Sequence, residues 1–254
     1  LTGGAPCTDG KTVLLRVPIE LAHVEHDKAA CGKWDAENNQ YFCAACNVEL
    51  ECDVNLFHEV AHLLAGSFDH DDPDAELIAL MQERWPESRF DLAALSIKGT
   101  GVRRNRSNTL VQRLASVFPD RWAFFAFNAV EDVFVNASIT EAREGLLPIF
   151  RSSYEAIFRD GVAGLDGRDA PAWNTLHPFI QAQAAWSLIA SGQSEVTKHL
   201  DAGIVDKIQF SKLCMELAGK ITTVRKVRDR FKVAFELLAE LERLGLGPEP
   251  APKP

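Results

Sequence analysis

The stretch "NLFHEVAHLLAGSF", Asn55 to Phe68, decides how the rest of the chain is read. Leu56, Val60 and Leu63 recur at helical spacing, as do Phe57, Ala61 and Leu64, which predicts an α-helix with Asp53 as its N-cap. Residues four apart lie one turn above each other on the same helix face, so His58 and His62 can direct two imidazoles at one point. Glu59 stands about 100° round from His58, which places its carboxylate beside a metal held by the pair rather than on it. This His-Glu-x-x-His pattern suits zinc-assisted hydrolysis, in which the metal lowers the pKa of a water and the glutamate takes the proton as general base. Asn55, His58, Glu59, His62 and Gly66 share one side while the other faces are apolar, so the helix is expected to be buried over most of its circumference.

A catalytic zinc takes three protein ligands and keeps a position open for water. The metzincin extension would place Gly at 65 and His at 68, where this chain has Ala65 and Phe68. The third ligand is therefore sought in "RWAFFAFNAVEDVFVNAS", residues 121–138, an apolar helical segment that carries Asn128, Glu131, Asp132 and Asn136. Glu131 is read as the third ligand, and Asp132 as the carboxylate that orients a ligating histidine through its other nitrogen, with Asn128 in support. The two acids can exchange roles, and the competing reading pairs them with Arg121, Arg143 or another basic group. Tyr154 and His177 are the candidate donors to a developing oxyanion opposite the general base.

Around this motif, "KTVLLRVP" (11–18) reads as a strand and residues 19–52 as a loop-rich Cys/His insert. Helices are expected over about 73–84, 87–97, 107–117, 119–138, 140–160, 173–191 and 194–243, the last breaking near Gly219. The fold class is accordingly α+β, predominantly helical, with a small N-terminal sheet. Residues 1–150 form the core with the metal site, 151–245 a helical part of the same body, and the Pro-rich 246–254 a tail or linker that could lead to a further domain or protein partner.

Within the insert, Cys31, Cys43, Cys46 and Cys52 fall close together, and Cys43-Ala-Ala-Cys46 has the two-residue gap that lets both thiolates reach one metal. A second, structural zinc on these four cysteines is the favoured reading. His23 and His26 permit other ligand sets, and two disulfides or free thiols are the alternatives.

Composition narrows the function. The 254 residues are 46% hydrophobic and 25% charged, ordinary for a globular protein. The net charge of -9 disfavours a general nucleic-acid binder, which gains affinity by neutralising phosphates. No run of about 18 apolar residues is present, so no membrane span is expected.

The strand "TDGKTVLLRVP", the helix "FHEVAHLLAG" and the later "NAVEDVFVN" together resemble zincin metallopeptidases found in bacteriophage genomes, and the related peptidase-like domains that accompany von Willebrand factor A modules and CobT-like proteins. The resemblance covers about residues 8–17 and 53–138. It implies a zincin-like, gluzincin-type fold, a zinc ion on His58, His62 and the Glu-Asp helix, a polypeptide substrate, and a cytoplasmic location, that of the bacterial host if a phage encodes the chain. The family often shows arginine where this chain has Phe134, which puts any charge pairing from that position in doubt. A non-catalytic virion or assembly component retaining the fold, and a zinc hydrolase of a non-peptide amide, are the alternative functions.

Overall fold

The computed structural model describes residues 7–8, 13–14, 24–37, 40–97, 109–160 and 172–248. It opens with two antiparallel strand pairs. In the first, β1 (Cys7–Thr8) pairs with β2 (Val13–Leu14), Cys7 opposite Leu14. In the second, β3 (Trp34–Asp35) pairs with β4 (Gln40–Tyr41), and the Trp34 and Tyr41 rings meet edge to face. The second pair lies inside the segment expected to be loop. The rest of the strand predicted at 11–18 lies outside the described residues, as does the tail beyond residue 248.

The described elements that follow are all helices: α1 (Ala44–Leu64), α2 (Ala75–Arg84), α3 (Leu92–Leu95), α4 (Leu110–Ala115), α5 (Trp122–Ala142), α6 (Leu147–Asp160), α7 (Pro178–Ala190), α8 (Ala202–Phe210), α9 (Lys212–Ile221) and α10 (Val227–Arg243), with short 3-10 turns between some of them. Three predictions are corrected here. The metal-motif helix starts at Ala44 rather than after Asp53, because "AACNVELEC" contains good helix formers and no breaker. The long C-terminal span divides where Asp201 and Ser211 cap new helices, each accepting from the backbone amide three residues on, and Gly219 lies within α9. Finally, α1 is not buried all round. It packs on α5 and α6 along one side, and its other side leaves Leu56, Phe57, Leu63 and Leu64 exposed, Leu64 by 75%.

The centre of the molecule is α5. Ala126, Val130, Val133 and Val135 are buried along it, which is why its sequence lacks a simple amphipathic pattern. On one side lies α1. On the other lies α10, whose Phe231 stacks on Phe127 with ring centres 3.8 Å apart. One continuous core joins residues from Ala61 to Leu246, so both halves of the chain contribute to it. No helix among the described residues is long and apolar enough to cross a membrane.

A polar contact fastens α10 to α2. Asp74 caps α2 by accepting from the Leu77 amide, and it also accepts from Lys232 at 2.8 Å. Burial alone would raise the Asp74 carboxyl, but Lys232, the Leu77 amide and Arg228 outweigh it and hold the group below its ordinary range. A depressed folded-state pKa gives stability that is present above the unfolded value and lost as pH falls through the folded one. Asp74→Ala is therefore expected to cost about 1–2 kcal/mol near neutrality, and less at acid pH. Urea unfolding of both proteins at neutral pH and near pH 3 checks this.

Candidate metal centre

The histidine pair stands on the last turns of α1, and the way that helix ends shapes the site. Gly66 takes the left-handed conformation, φ +73°, after the C-cap Ala65. The Ser67 amide then donates back to the His62 carbonyl at 3.1 Å, the bond of a Schellman turn. The turn returns Ser67 to the side chain of His62, whose Nδ1 lies 3.1 Å from Ser67 Oγ. A residue with a Cβ at position 66 would be strained and would meet the Asp69 carboxylate.

The other contributions come from α5. Asn136 Oδ1 accepts from His58 Nδ1 at 2.8 Å, and Asn136 Nδ2 donates to the Tyr154 hydroxyl at 2.6 Å. With both Nδ1 atoms engaged, the two Nε2 atoms are left to face each other at 3.2 Å. Asp132 Oδ1 lies 3.6 Å from His58 Nε2 and 3.4 Å from His62 Nε2, while its Oδ2 accepts from Asn128 at 3.1 Å. A tetrahedral ion with bonds of about 2.0–2.2 Å to nitrogen and oxygen needs ligand atoms about 3.3–3.5 Å apart. The separations in this group are compatible with that requirement, so His58, His62 and Asp132 could hold a metal ion.

Glu131, read from sequence as the third ligand, is engaged elsewhere. Its Oε2 accepts from Arg230 Nε at 2.5 Å and its Oε1 from Arg230 Nη2 at 2.9 Å, and Ser67 donates to Oε1 as well. Arg230 is wholly buried and Glu131 is 2% exposed. The guanidinium lies over the Phe134 ring, 4.2 Å from its centre, and also donates to the backbone carbonyls of Arg225 and Ala65. In position the two acids are exchanged: Asp132 lies beside both Nε2 atoms, and Glu131 accepts from Ser67, which contacts His62 Nδ1. The basic partner is neither Arg121 nor Arg143.

Glu59 is 6% exposed and lines, with both histidines and Asp132, a cavity of about 550 Å³. Among the described residues no hydrogen bond or ion pair holds its carboxyl. Burial pushes the group above its ordinary range, with Asp132 adding to the shift and the two histidines opposing it. For His62, burial works downward, but Asp132, Glu131 and Glu59 outweigh it and raise the imidazole. Phe68, Val111, Phe124 and Phe127 form the apolar wall of the cavity.

Neither candidate oxyanion donor lines this cavity. Tyr154 sits behind Asn136, where burial and the nearby Asp132 carboxylate raise its hydroxyl well above the usual phenol range. His177 is an exposed N-cap of α7, its Nδ1 accepting from the Phe179 amide. Among the cysteines, Cys31, Cys43 and Cys46 gather around His26, and Cys52 is apart from them in α1. None of Cys31, Cys43, Cys46, Cys52 and Cys214 is in a disulfide, and His23 lies outside the described residues.

Comparison of the chain with known protein families, characterised proteins and solved structures finds no match.

Ser67→Ala removes the acceptor of His62 Nδ1 and is expected to weaken metal binding about 10–100-fold, with Asn136→Ala acting alike on His58; calorimetric titration measures both. Glu131→Gln leaves Arg230 buried without its counter-charge and is expected to lower unfolding free energy by about 3–5 kcal/mol. Asp132→Asn, by contrast, is expected to reduce metal affinity with little change in metal-free stability. Because a protonated imidazole cannot bind metal and His62 is raised, affinity is expected to fall with pH from above about 6.5, the ordinary histidine value.

Proposed function

We propose that the chain is a zinc-dependent metallopeptidase of zincin-like fold, with His58, His62 and Asp132 as zinc ligands and Glu59 as general base. The observation that carries this reading is the pairing of a three-ligand cluster with a buried, unengaged carboxyl on the helix that carries its two histidines, both facing one cavity. A purely structural metal site has no need of Glu59, whose burial in that position costs stability. Nitrogen and carboxylate ligands with an open side suit zinc in catalytic use.

Zinc held there supplies a Lewis acid that makes water nucleophilic at neutral pH and polarises a carbonyl. The remaining work belongs to side chains. Asn136 and Ser67 keep each imidazole in the tautomer that leaves Nε2 free. Glu59 accepts a proton from water as the water oxygen attacks the carbonyl carbon of the scissile amide. The same carboxyl then passes that proton to the amide nitrogen as the C–N bond breaks, leaving a carboxylic acid and an amine. Phe68, Phe124 and Phe127 would receive an apolar side chain of a polypeptide substrate next to the bond cut.

The deciding experiment compares the wild type with Glu59→Gln on a mixed peptide library analysed by mass spectrometry. Wild type is expected to cleave beside apolar residues, and Glu59→Gln to retain zinc while losing activity by about 100-fold or more. Equal cleavage by both proteins would refute the assignment of Glu59, and no cleavage of any peptide by zinc-loaded wild type would refute the peptidase.

A further inference from the structure

We infer that His26, Cys31, Cys43 and Cys46 hold a second zinc ion, structural in role, which fastens the segment 24–43 to the first turn of α1. His26 Nδ1, Cys31 Sγ and Cys46 Sγ form a mutually close group, and Cys43 Sγ approaches it at His26. His26 Nδ1 is 3.4 Å from Cys31 Sγ, 3.8 Å from Cys43 Sγ and 3.6 Å from Cys46 Sγ, and the sulfurs of Cys31 and Cys46 are 3.7 Å apart. With Zn–S bonds of about 2.3 Å and a Zn–N bond of about 2.0–2.1 Å, a regular tetrahedron has S···N edges of about 3.6 Å and S···S edges of about 3.8 Å. The agreement holds along each of those edges. A disulfide, with sulfurs about 2.05 Å apart, does not describe this arrangement, and Cys52 has no part in it.

The surroundings of His26 point the same way. Its Nε2 lies 3.1 Å from Glu49 Oε1, on the second turn of α1. A proton on Nε2 donated to that carboxylate leaves the Nδ1 lone pair facing the three sulfurs, the support that metal-bound histidines receive from carboxylates. Gly32, at φ +72°, turns the chain just after Cys31 and brings its own amide to Cys46 Sγ at 3.5 Å, a donor suited to a thiolate.

The segment also needs a fastening. Among the described residues its apolar cluster consists of Cys43, Ala45 and Cys46 with Val24, Ala30 and Tyr41 beside them, too small a core to order a segment of this length. Cys43, the N-cap of α1, makes no side-chain capping bond, and the first turn carries no acidic residue. Three thiolates and a neutral imidazole on a divalent zinc would leave net negative charge at that helix end, where the helix dipole favours it.

The wild-type chain exchanged into cobalt(II) tests this directly, because the His58, His62 and Asp132 group contains no thiolate. Thiolate-to-cobalt charge-transfer absorption is expected, and its absence would overturn the inference. In the His58→Ala, His62→Ala chain, elemental analysis is expected to find about one zinc per chain, lost on adding Cys43→Ser and unchanged on adding Cys52→Ser. Zinc that survives Cys43→Ser, or a Cys31–Cys46 disulfide found in the freshly isolated wild type under non-reducing conditions, would also overturn it.

Discussion

The buried pair of Glu131 and Arg230 is the contact on which the rest of the arrangement rests. Removing two charges from water is costly, and the attraction between them repays that cost only with good geometry and full hydrogen bonding. Both conditions are met: the guanidinium meets the carboxylate in a two-pronged contact, lies on Phe134, and spends further donors on carbonyls of the chain. Glu131 in turn accepts from Ser67, which fixes His62. A single ion pair thereby joins α10 to α5 and, through one hydroxyl, to the end of α1.

Seen along α1, chemistry is concentrated at both ends. Cys43 and Cys46 mark its start, and His58, Glu59 and His62 its finish. Between them the helix has limited burial, with Leu56 and Phe57 exposed. Metal ligation at either end would add to the stability of such a helix, since binding that requires the folded geometry is linked to folding. A fixed start also fixes the rotation of the helix about its axis, and so the direction of both imidazoles toward α5.

How much of this is legible from residues alone depends on the range of each interaction. The spacing of His58, Glu59 and His62 is local, as is the polar stripe on α5 that contains Asp132 and Asn136, and the helical character of both segments follows from it. The division of labour between Glu131 and Asp132 is not local, since it is decided by an arginine 99 residues further on. Phe134 stands where the resembled family often has arginine; here the guanidinium reaches the same neighbourhood from α10 and stacks on that phenylalanine. Ser67 gives no signal of its own, because its position depends on a glycine turn whose geometry emerges only when α1 ends. Asp53 misleads as a helix start because capping residues are also tolerated within helices, and the earlier start is set around Cys43, outside any apolar periodicity.

The reach of Arg230 also imposes an order on biosynthesis. A nascent chain that has emerged only as far as α5 presents Glu131 as a charge without its partner, and the core around α5 lacks Phe231 and the rest of α10. The N-terminal helices can collapse early, but the serine that holds His62 has no settled acceptor until α10 arrives. Completion of the candidate metal site would in this way be deferred to a late stage of synthesis, when the same helix that completes the core also supplies the partner of Glu131.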